Sequence, residues 1–236
     1  MVNAILNGCN GAMGRVITDI VSKDDGIRIV AGVDVNPLKL ADYEVYETLD
    51  QCPAADVVID FSSAKATDGV VAYCEKTKTP VDLCTTGLSE EQLERVKALG
   101  VIPSFFVAHV YHWGEIHVNK LGLDRAAAIS PAGSALKLGI PFTFHQDSPV
   151  LPPDMVETLW CACVRRTKTG RVLGPEERIP VEAALRAVTE TAAWQYGAEG
   201  ADLVVLSGDP LKTDPEELKN LQVEKTIKDG RTIWSR

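Results

Sequence analysis

The sequence has few positive charges and no cluster of them. Its 236 residues include 24 Lys and Arg against 33 Asp and Glu, which gives a formal net charge of −9. Nucleic acids and anionic membrane surfaces are held by clustered basic side chains, so we expect neither as a partner. The phosphates of any bound ligand would have to be held by backbone N–H groups.

Long apolar runs, a basic leader and zinc-type cysteine pairs are also missing. No apolar run approaches the ~18 residues that cross a bilayer, and the first residues, MVNAILNGCNGAMG, do not have the pattern of a signal peptide. The six cysteines include no two CxxC pairs at zinc-finger spacing, so we expect buried, reduced thiols. These features predict a cytoplasmic protein.

Strand-like and helix-like segments alternate along the chain. The uninterrupted apolar centre of ADVVIDFSS, residues 55–63, is typical of a parallel strand covered on both faces. The alternation predicts the α/β class, with a Rossmann-like, doubly wound parallel sheet in the strand order 2-1-3-4-5-6. The six strands are predicted to begin at Asn3, Ile27, Asp56, Pro80, Val101 and Ile140.

We expect three parts along the chain. Residues 1–100 would form a dinucleotide-binding part, residues 101–200 would complete the same sheet, and residues 201–236 would form a small C-terminal β appendage. The appendage contains a hairpin that turns at Asp229-Gly230. Its strands have exposed edges, and such edges favour pairing with another copy, so a homodimer is expected.

A glycine-rich turn joins the first strand to the first helix. Gly8 permits a tight turn, Gly11 lets the backbone approach a pyrophosphate, and Gly14 lets helix and strand pack closely. The phosphates would lie at the helix N-terminus, and Asp34, at the end of the second strand, can accept hydrogen bonds from ribose hydroxyls. This arrangement predicts a site for NAD or NADP. Asp34 favours NAD because it repels a 2′-phosphate, and Lys39 is the nearby cation that would weaken this repulsion. The alternative is a loop that keeps this shape and binds nothing.

Three stretches, NGCNGAMGR, VVIDFSS and LCTTGLSEEQL, resemble the N-terminal cofactor domain of dihydrodipicolinate reductase over roughly residues 1–100. The resemblance implies that the first loop holds the pyrophosphate and that the Phe-Ser-Ser and Thr-Thr-Gly turns line the nicotinamide side. The cofactor-binding residues that it implies are Gly8, Asn10, Gly11, Met13, Gly14, Arg15, Asp34, Phe61, Ser62, Thr85, Thr86 and Gly87. Asp82 departs from the aliphatic residue usual in that family. A carboxylate in a buried strand is costly, so Asp82 faces solvent, contacts a new neighbour or was introduced.

The substrate domain of that family is not recognisable, because no two of the four histidines are adjacent. Residues 101–236 instead resemble the C-terminal part of metal-dependent amidohydrolases, through VIPSFFVAHVYHWG, GIPFTFHQDSPVLPPD and ADLVVLSGDPL. The resemblance makes these first two stretches the seventh and eighth barrel strands. It makes Asp147 the aspartate that binds metal or acts as base, and Glu190 departs from the family pattern. The other metal ligands would come from strands that are missing here, so we expect no catalytic residue and no metal, with Asp147 as a lone ligand position.

The two resemblances meet near residues 99–101, where one apolar strand replaces another. The first hypothesis is therefore an engineered chimera, an α/β scaffold that has no intact catalytic site and retains at most NAD(P) binding. A second is an NAD(P)-dependent oxidoreductase with an altered substrate site around His109, His112, His145 and Asp147. A third is a non-catalytic, oligomerising module.

Overall fold

The computed structural model describes residues 1–85, 89–198 and 202–236. By its internal contacts the chain divides into two compact units, Met1–Val101 and Ile102–Arg236. The boundary lies beside residues 99–101, where the two resemblances meet. The expected division into three parts remains a prediction.

The first unit is built on a five-stranded parallel sheet in the order β3-β2-β1-β4-β5. Its strands are β1 (Val2–Asn7), β2 (Ile27–Val33), β3 (Val45–Tyr46), β4 (Val57–Asp60) and β5 (Val81–Leu83). Its helices are α1 (Ala12–Val21), α2 (Thr67–Thr77) and α3 (Glu90–Ala98), with a short 3-10 turn at Leu49–Gln51. The order confirms the predicted 2-1-3-4 arrangement of the first four strands. Strand β3 was not predicted, because two residues are too few to show a strand period.

The strands at the centre of this sheet are buried. Ala4, Ile5 and Leu6 of β1 and Val58 of β4 are fully buried, as expected for strands that have neighbours on both sides and cover on both faces. Asp82 lies at an exposed position of β5, an edge strand of the sheet. Of the three explanations for this carboxylate, the structure therefore supports the first, that it faces solvent.

The second unit is mostly helical. Its helices are α4 (His109–Leu121), α5 (Leu123–Ala127), α6 (Ala132–Lys137), α7 (Met155–Val164), α8 (Val181–Val188) and α9 (Glu190–Gln195), with short 3-10 turns at Pro175–Glu177 and Pro215–Asn220. Its strands are β6 (Ser104–Phe105), β7 (Thr143–Phe144), β8 (Leu203–Leu206), β9 (Val223–Lys228) and β10 (Arg231–Ser235). Strands β8, β9 and β10 form an antiparallel sheet in the order β10-β9-β8. The predicted hairpin is confirmed, and both turn residues, Asp229 and Gly230, have positive φ.

The strands near Val101 and Ile140 require a correction. They are parallel neighbours as predicted, but β6 and β7 form a two-stranded sheet of their own and are not the fifth and sixth strands of the first sheet. Each strand contributes two paired residues. The two strands are short because Pro103 and Pro141 have no N–H to donate, which ends the pairing at their N-terminal ends.

The core of the second unit is centred on α7, which is buried on all sides from Thr158 to Val164. Arg165 follows this helix and is fully buried. Its guanidinium donates hydrogen bonds to the carbonyl oxygens of Leu173, Ser130, Ala127 and Ile129 at 2.8–3.1 Å. Burial lowers the pKa of Arg165 to about 10. The carbonyl oxygens that the guanidinium contacts replace the hydration that it loses on burial.

The six cysteines are free, and four of them are buried: Cys9, Cys74, Cys161 and Cys163. Burial raises the pKa of the Cys9 thiol to about 11. Across the described ranges, every helix is too short or too polar to cross a membrane.

Candidate functional site

The glycine-rich turn packs backbone against backbone. Gly8 has a φ of +81°, and a Cβ atom there would lie 2.5 Å from the carbonyl oxygen of Phe61. A Cβ atom on Gly14 would lie 2.3 Å from the carbonyl oxygen of Gly8. A side chain at either position would therefore push the turn away from β4 or from helix α1.

The N-terminus of helix α1 opens directly out of this turn. Gly11 is its N-cap, and no side chain within the described part of the protein caps it. The first turn also contains no acidic residue. The N–H groups and the positive end of the helix dipole are thus available to an anion, as a phosphate site requires.

Asp34 links the glycine-rich turn to the segment after β2. Its Oδ2 accepts a hydrogen bond from the backbone N–H of Asn10 at 3.0 Å, and its Oδ1 accepts one from the N–H of Asn36 at 3.1 Å. The Asn10 side chain completes the link by donating to the carbonyl oxygens of Asn36 and Leu38. Each carboxylate oxygen keeps a further lone pair, so Asp34 can also accept a bond from a ribose hydroxyl.

Two cations flank this end of the site. Arg15 donates from Nε to the carbonyl oxygen of Asn10 at 3.1 Å, which fixes the turn. Lys39 forms an exposed ion pair with Glu44. Beside the turn lies an open groove of about 460 Å³, lined in part by Asn10, Arg15 and Tyr43.

A buried carboxylate lies on the other side of the turn, at the end of β4. Asp60 is fully buried. Its Oδ1 accepts hydrogen bonds from Asn7 Nδ2 at 2.8 Å and Ser62 Oγ at 2.6 Å, and its Oδ2 accepts one from Thr85 Oγ1 at 2.5 Å. Ser62 and Thr85 were predicted from the sequence, but Asn7 and Asp60 were not. A charged residue at the end of the apolar stretch VVID is the one signal that could have pointed to Asp60.

The nominated residues that the structure describes lie just beyond the carboxyl ends of β2, β4 and β5, in the turn between β1 and α1, or in the first turn of α1. Gly8 contacts Phe61, and Asp60 joins Ser62 to Thr85. Met13 lies half exposed on the first turn of α1. Thr86 and Gly87 lie outside the described residues. The structure brings this set together, and its binding of a cofactor remains a prediction.

Two histidines of the second unit contact hydrogen-bonding side chains of the same unit. Nδ1 of His145 lies 2.9 Å from Ser104 Oγ, and Nε2 of His112 lies 2.5 Å from a carboxylate oxygen of Glu157. The rings of His109 and His117 stack with their centroids 5.3 Å apart. Burial lowers the pKa of His109 and of His145, and the neighbouring His117 lowers that of His109 further.

Asp147 is exposed and has a φ of +51°, a left-handed backbone conformation. Within the described ranges, no three His, Cys, Asp or Glu side chains are grouped so that they would hold a metal ion. The oxidoreductase hypothesis placed a substrate site around His109, His112, His145 and Asp147. The structure gives two of these side chains partners in their own unit, Glu157 for His112 and Ser104 for His145.

One family model matches most of the chain. The model of the amidohydrolase family matches residues 60–234. The chain belongs to the amidohydrolase family. The model of the dihydrodipicolinate reductase N-terminus matches residues 2–109. The chain is therefore composite, with residues 60–109 shared by the two matches.

Individual relatives resemble the reductase part. The 4-hydroxy-tetrahydrodipicolinate reductase of Clostridium novyi (strain NT) is 38% identical over 159 residues, which cover 59% of this chain and 63% of that protein. The enzyme of the same name from Caldanaerobacter subterraneus subsp. tengcongensis is 43% identical over 112 residues, 47% of this chain and 44% of that one. The chain thus spans less than two thirds of the length of these curated relatives.

Among solved structures, an uncharacterized metal-dependent hydrolase from Pyrococcus horikoshii OT3 superposes with a TM-score of 0.51 and 22% sequence identity. The match covers 67% of this chain and 35% of that chain. At this level of identity the likeness concerns the fold alone.

Proposed function

We propose that the first unit binds a nicotinamide dinucleotide. The observation that carries the proposal is the joint geometry of the glycine-rich turn, the uncapped N-terminus of α1 and Asp34. The turn and helix supply N–H donors for a pyrophosphate, and Asp34 supplies an acceptor for the adjoining ribose. The similarity to the reductase N-terminus supports the same ligand class.

NAD is the proposed form of the cofactor. The carboxylate of Asp34 repels a 2′-phosphate, and the backbone N–H groups of Asn10 and Asn36 hold it in place. Lys39, the cation expected to weaken that repulsion, is paired with Glu44. This pairing supports NAD as the proposed form of the cofactor.

We further propose that the chain is a chimera, joined near residues 99–101, that catalyses neither parental reaction. The overlap of the two family matches at residues 60–109 supports a join in this region. The local pairing of His112 and His145 and the exposed position of Asp147 support the absence of an intact catalytic site. The alternative, an altered oxidoreductase, requires turnover of an oxo or imine substrate that is lost on His145→Ala or Asp147→Ala.

The exposed C-terminal sheet favours a homodimer. Its strands carry large apolar side chains that are roughly half exposed or more, among them Val204 at 58%, Ile233 at 62% and Trp234 at 48%. β8 is an edge strand with the sequence LVVL, so its free backbone groups and side chains favour pairing with a second copy. We propose no nucleic acid or membrane partner, and the free thiols support a cytoplasmic location.

A titration of NADH, followed by nicotinamide fluorescence, tests the proposed dinucleotide site. Saturable binding is expected, with competition by NAD and weaker competition by NADP. An NADH signal that does not saturate, from a protein whose first unit is shown to be folded, would overturn the proposal.

A further inference from the structure

Asp60 is a buried charge without a cationic partner among the residues described. It is fully buried, and the ion pairs of the first unit do not include it. A carboxylate in such a place is costly unless hydrogen bonds replace its lost hydration. The three bonds from Asn7, Ser62 and Thr85 do so, and all three donors lie at or just beyond the carboxyl ends of strands.

The strand order shows which part of a dinucleotide would lie over this cluster. β2, with Asp34 just past its end, borders β1 on one side, and β4 and β5 follow on the other side. If the pyrophosphate lies at the turn after β1 and the adenosine ribose at Asp34, the rest of the ligand must extend over the ends of β4 and β5. Asp60 lies at that end of β4, in direct contact with Ser62 and Thr85.

The direction of these hydrogen bonds determines what the two hydroxyls offer to a ligand. The hydroxyls of Ser62 and Thr85 donate their hydrogens to the carboxylate oxygens of Asp60. Both residues are partly exposed, and their oxygens keep only lone pairs for a ligand. A ligand group that contacts them must be a hydrogen-bond donor, as a carboxamide or a ribose hydroxyl is.

We propose that Asp60 is a positioning residue for the nicotinamide half of the dinucleotide. It fixes the hydroxyls of Ser62 and Thr85 as acceptors and ties the turn after β4 to the end of β5 through its two oxygens. This inference rests on the proposed dinucleotide site and adds a role for a residue that does not touch the ligand itself.

The test compares two ligands that differ in that half. Calorimetric titrations with NAD and with ADP-ribose, which lacks the nicotinamide, are made on the wild-type chain, on Asp60→Asn and on the control Asp82→Asn. Asp82 lies at an exposed position of β5, so its variant removes a carboxylate from the same sheet outside the buried cluster. For Asp60→Asn we expect NAD affinity to fall about tenfold, the typical loss for a hydrogen bond to a charged group. ADP-ribose affinity should stay unchanged, and Asp82→Asn should leave both affinities unchanged.

The remaining outcomes separate this inference from the proposed site. An equal loss of both ligands in Asp60→Asn, or no loss of either, would overturn the positioning role and leave the dinucleotide site standing. If the wild-type chain binds neither ligand, the proposed site itself fails and the inference with it. Should Asp60→Asn not fold, Ser62→Ala and Thr85→Val each remove a single bond to Asp60, and each must show the same selective loss of NAD affinity.

Discussion

The carboxyl ends of the two parallel sheets differ in how their polar side chains are used. In the first unit, Asp34 and Asp60 each join two or more loops, and no side chain of the residues that the structure describes caps the N-terminus of α1. In the second unit, His112 and His145 bond to neighbours and Asp147 is exposed. A ligand site needs several strand ends that converge around groups left free for the ligand. The five-stranded sheet provides them, whereas β6 and β7 contribute two paired residues each.

The largest expected effect concerns the second unit alone. Arg165→Met should lower its free energy of unfolding by about 4 kcal/mol, because it leaves buried carbonyl oxygens without a donor. The control is Arg186→Met, which removes an exposed arginine paired with Glu182 and should cost less than about 0.5 kcal/mol. Chemical denaturation followed by tryptophan fluorescence measures both, since all four tryptophans lie in residues 102–236. Equal stability of the two variants would show that the buried hydrogen bonds of Arg165 do not stabilise the second unit.

In the first unit, the most destabilising substitution is expected in the glycine-rich turn. Gly14→Ala should cost about 3 kcal/mol and abolish NADH binding, because the added Cβ meets backbone oxygens of Gly8 and Cys9 at 2.3 and 2.5 Å. In the control, Gly69→Ala in α2, the new Cβ has no atom of the described residues within 4 Å, so stability should hold or rise slightly. Hydrogen exchange of the β1 amides reports the stability of this unit. Retention of NADH binding by Gly14→Ala would contradict the proposed phosphate site.

Cofactor choice should depend on one charge. Asp34→Asn keeps an oxygen acceptor but removes the negative charge, so NADP affinity should rise about tenfold while NAD affinity changes less. Competition titrations against NADH measure both affinities. Asp25→Asn, an exposed position before β2, is the matched control and should leave the ratio as it is. An unchanged NAD-to-NADP ratio in Asp34→Asn would remove the argument for NAD.

The C-terminal sheet should determine the oligomeric state. Val204→Lys places a charge on the edge strand β8 and should weaken a dimer roughly tenfold or more, since edge lysines oppose strand pairing. Analytical ultracentrifugation over a range of concentrations gives the dissociation constant. Lys225→Ala, on the central strand β9, is a control outside the edge. A wild-type chain that stays monomeric at high concentration would refute the dimer.

The smallest expected effect is on pH dependence. Burial and His117 lower the pKa of His109 below its ordinary value of 6.5, so the unfolded state binds more protons than the folded state near that pH. The stability of the second unit should therefore be complete above pH 6.5 and decrease as the pH falls below it. His109→Gln should reduce this slope, as measured by thermal unfolding at several pH values. A slope that is unchanged, or that has the opposite sign, would contradict the burial of a neutral His109.

Local chemistry explains how much the sequence could predict. The hairpin at Asp229-Gly230 follows from a short-range pattern, and the order of the first four strands follows from the alternation of strands and helices; the structure contains both. β3 and the separate pairing of β6 with β7 depend on strand partners distant in the chain, which no local pattern specifies.

The candidate site shows the same division. Gly8, Gly14 and Asp34 could be found because their spacing reflects the path of one βαβ unit. The role of Asp60 could not, because its donors Asn7 and Thr85 lie 53 and 25 residues away and meet it only in the folded sheet. The pairing of Lys39 with Glu44 lies in the irregular segment between β2 and β3, so no periodic pattern in the sequence specifies it.

The most direct test of the account is the perturbation of backbone amide resonances by NAD in the ¹⁵N-labelled chain. The account predicts that the largest shifts occur at Asn10, Gly11 and Met13 in the turn and first helical residues, with further shifts at Asn36 and Ser62. Saturation of these shifts along one binding curve would support a single site at the carboxyl edge of the first sheet. If the resonances of these amides stay unchanged up to millimolar NAD, the first unit does not hold a dinucleotide and the central claim is wrong.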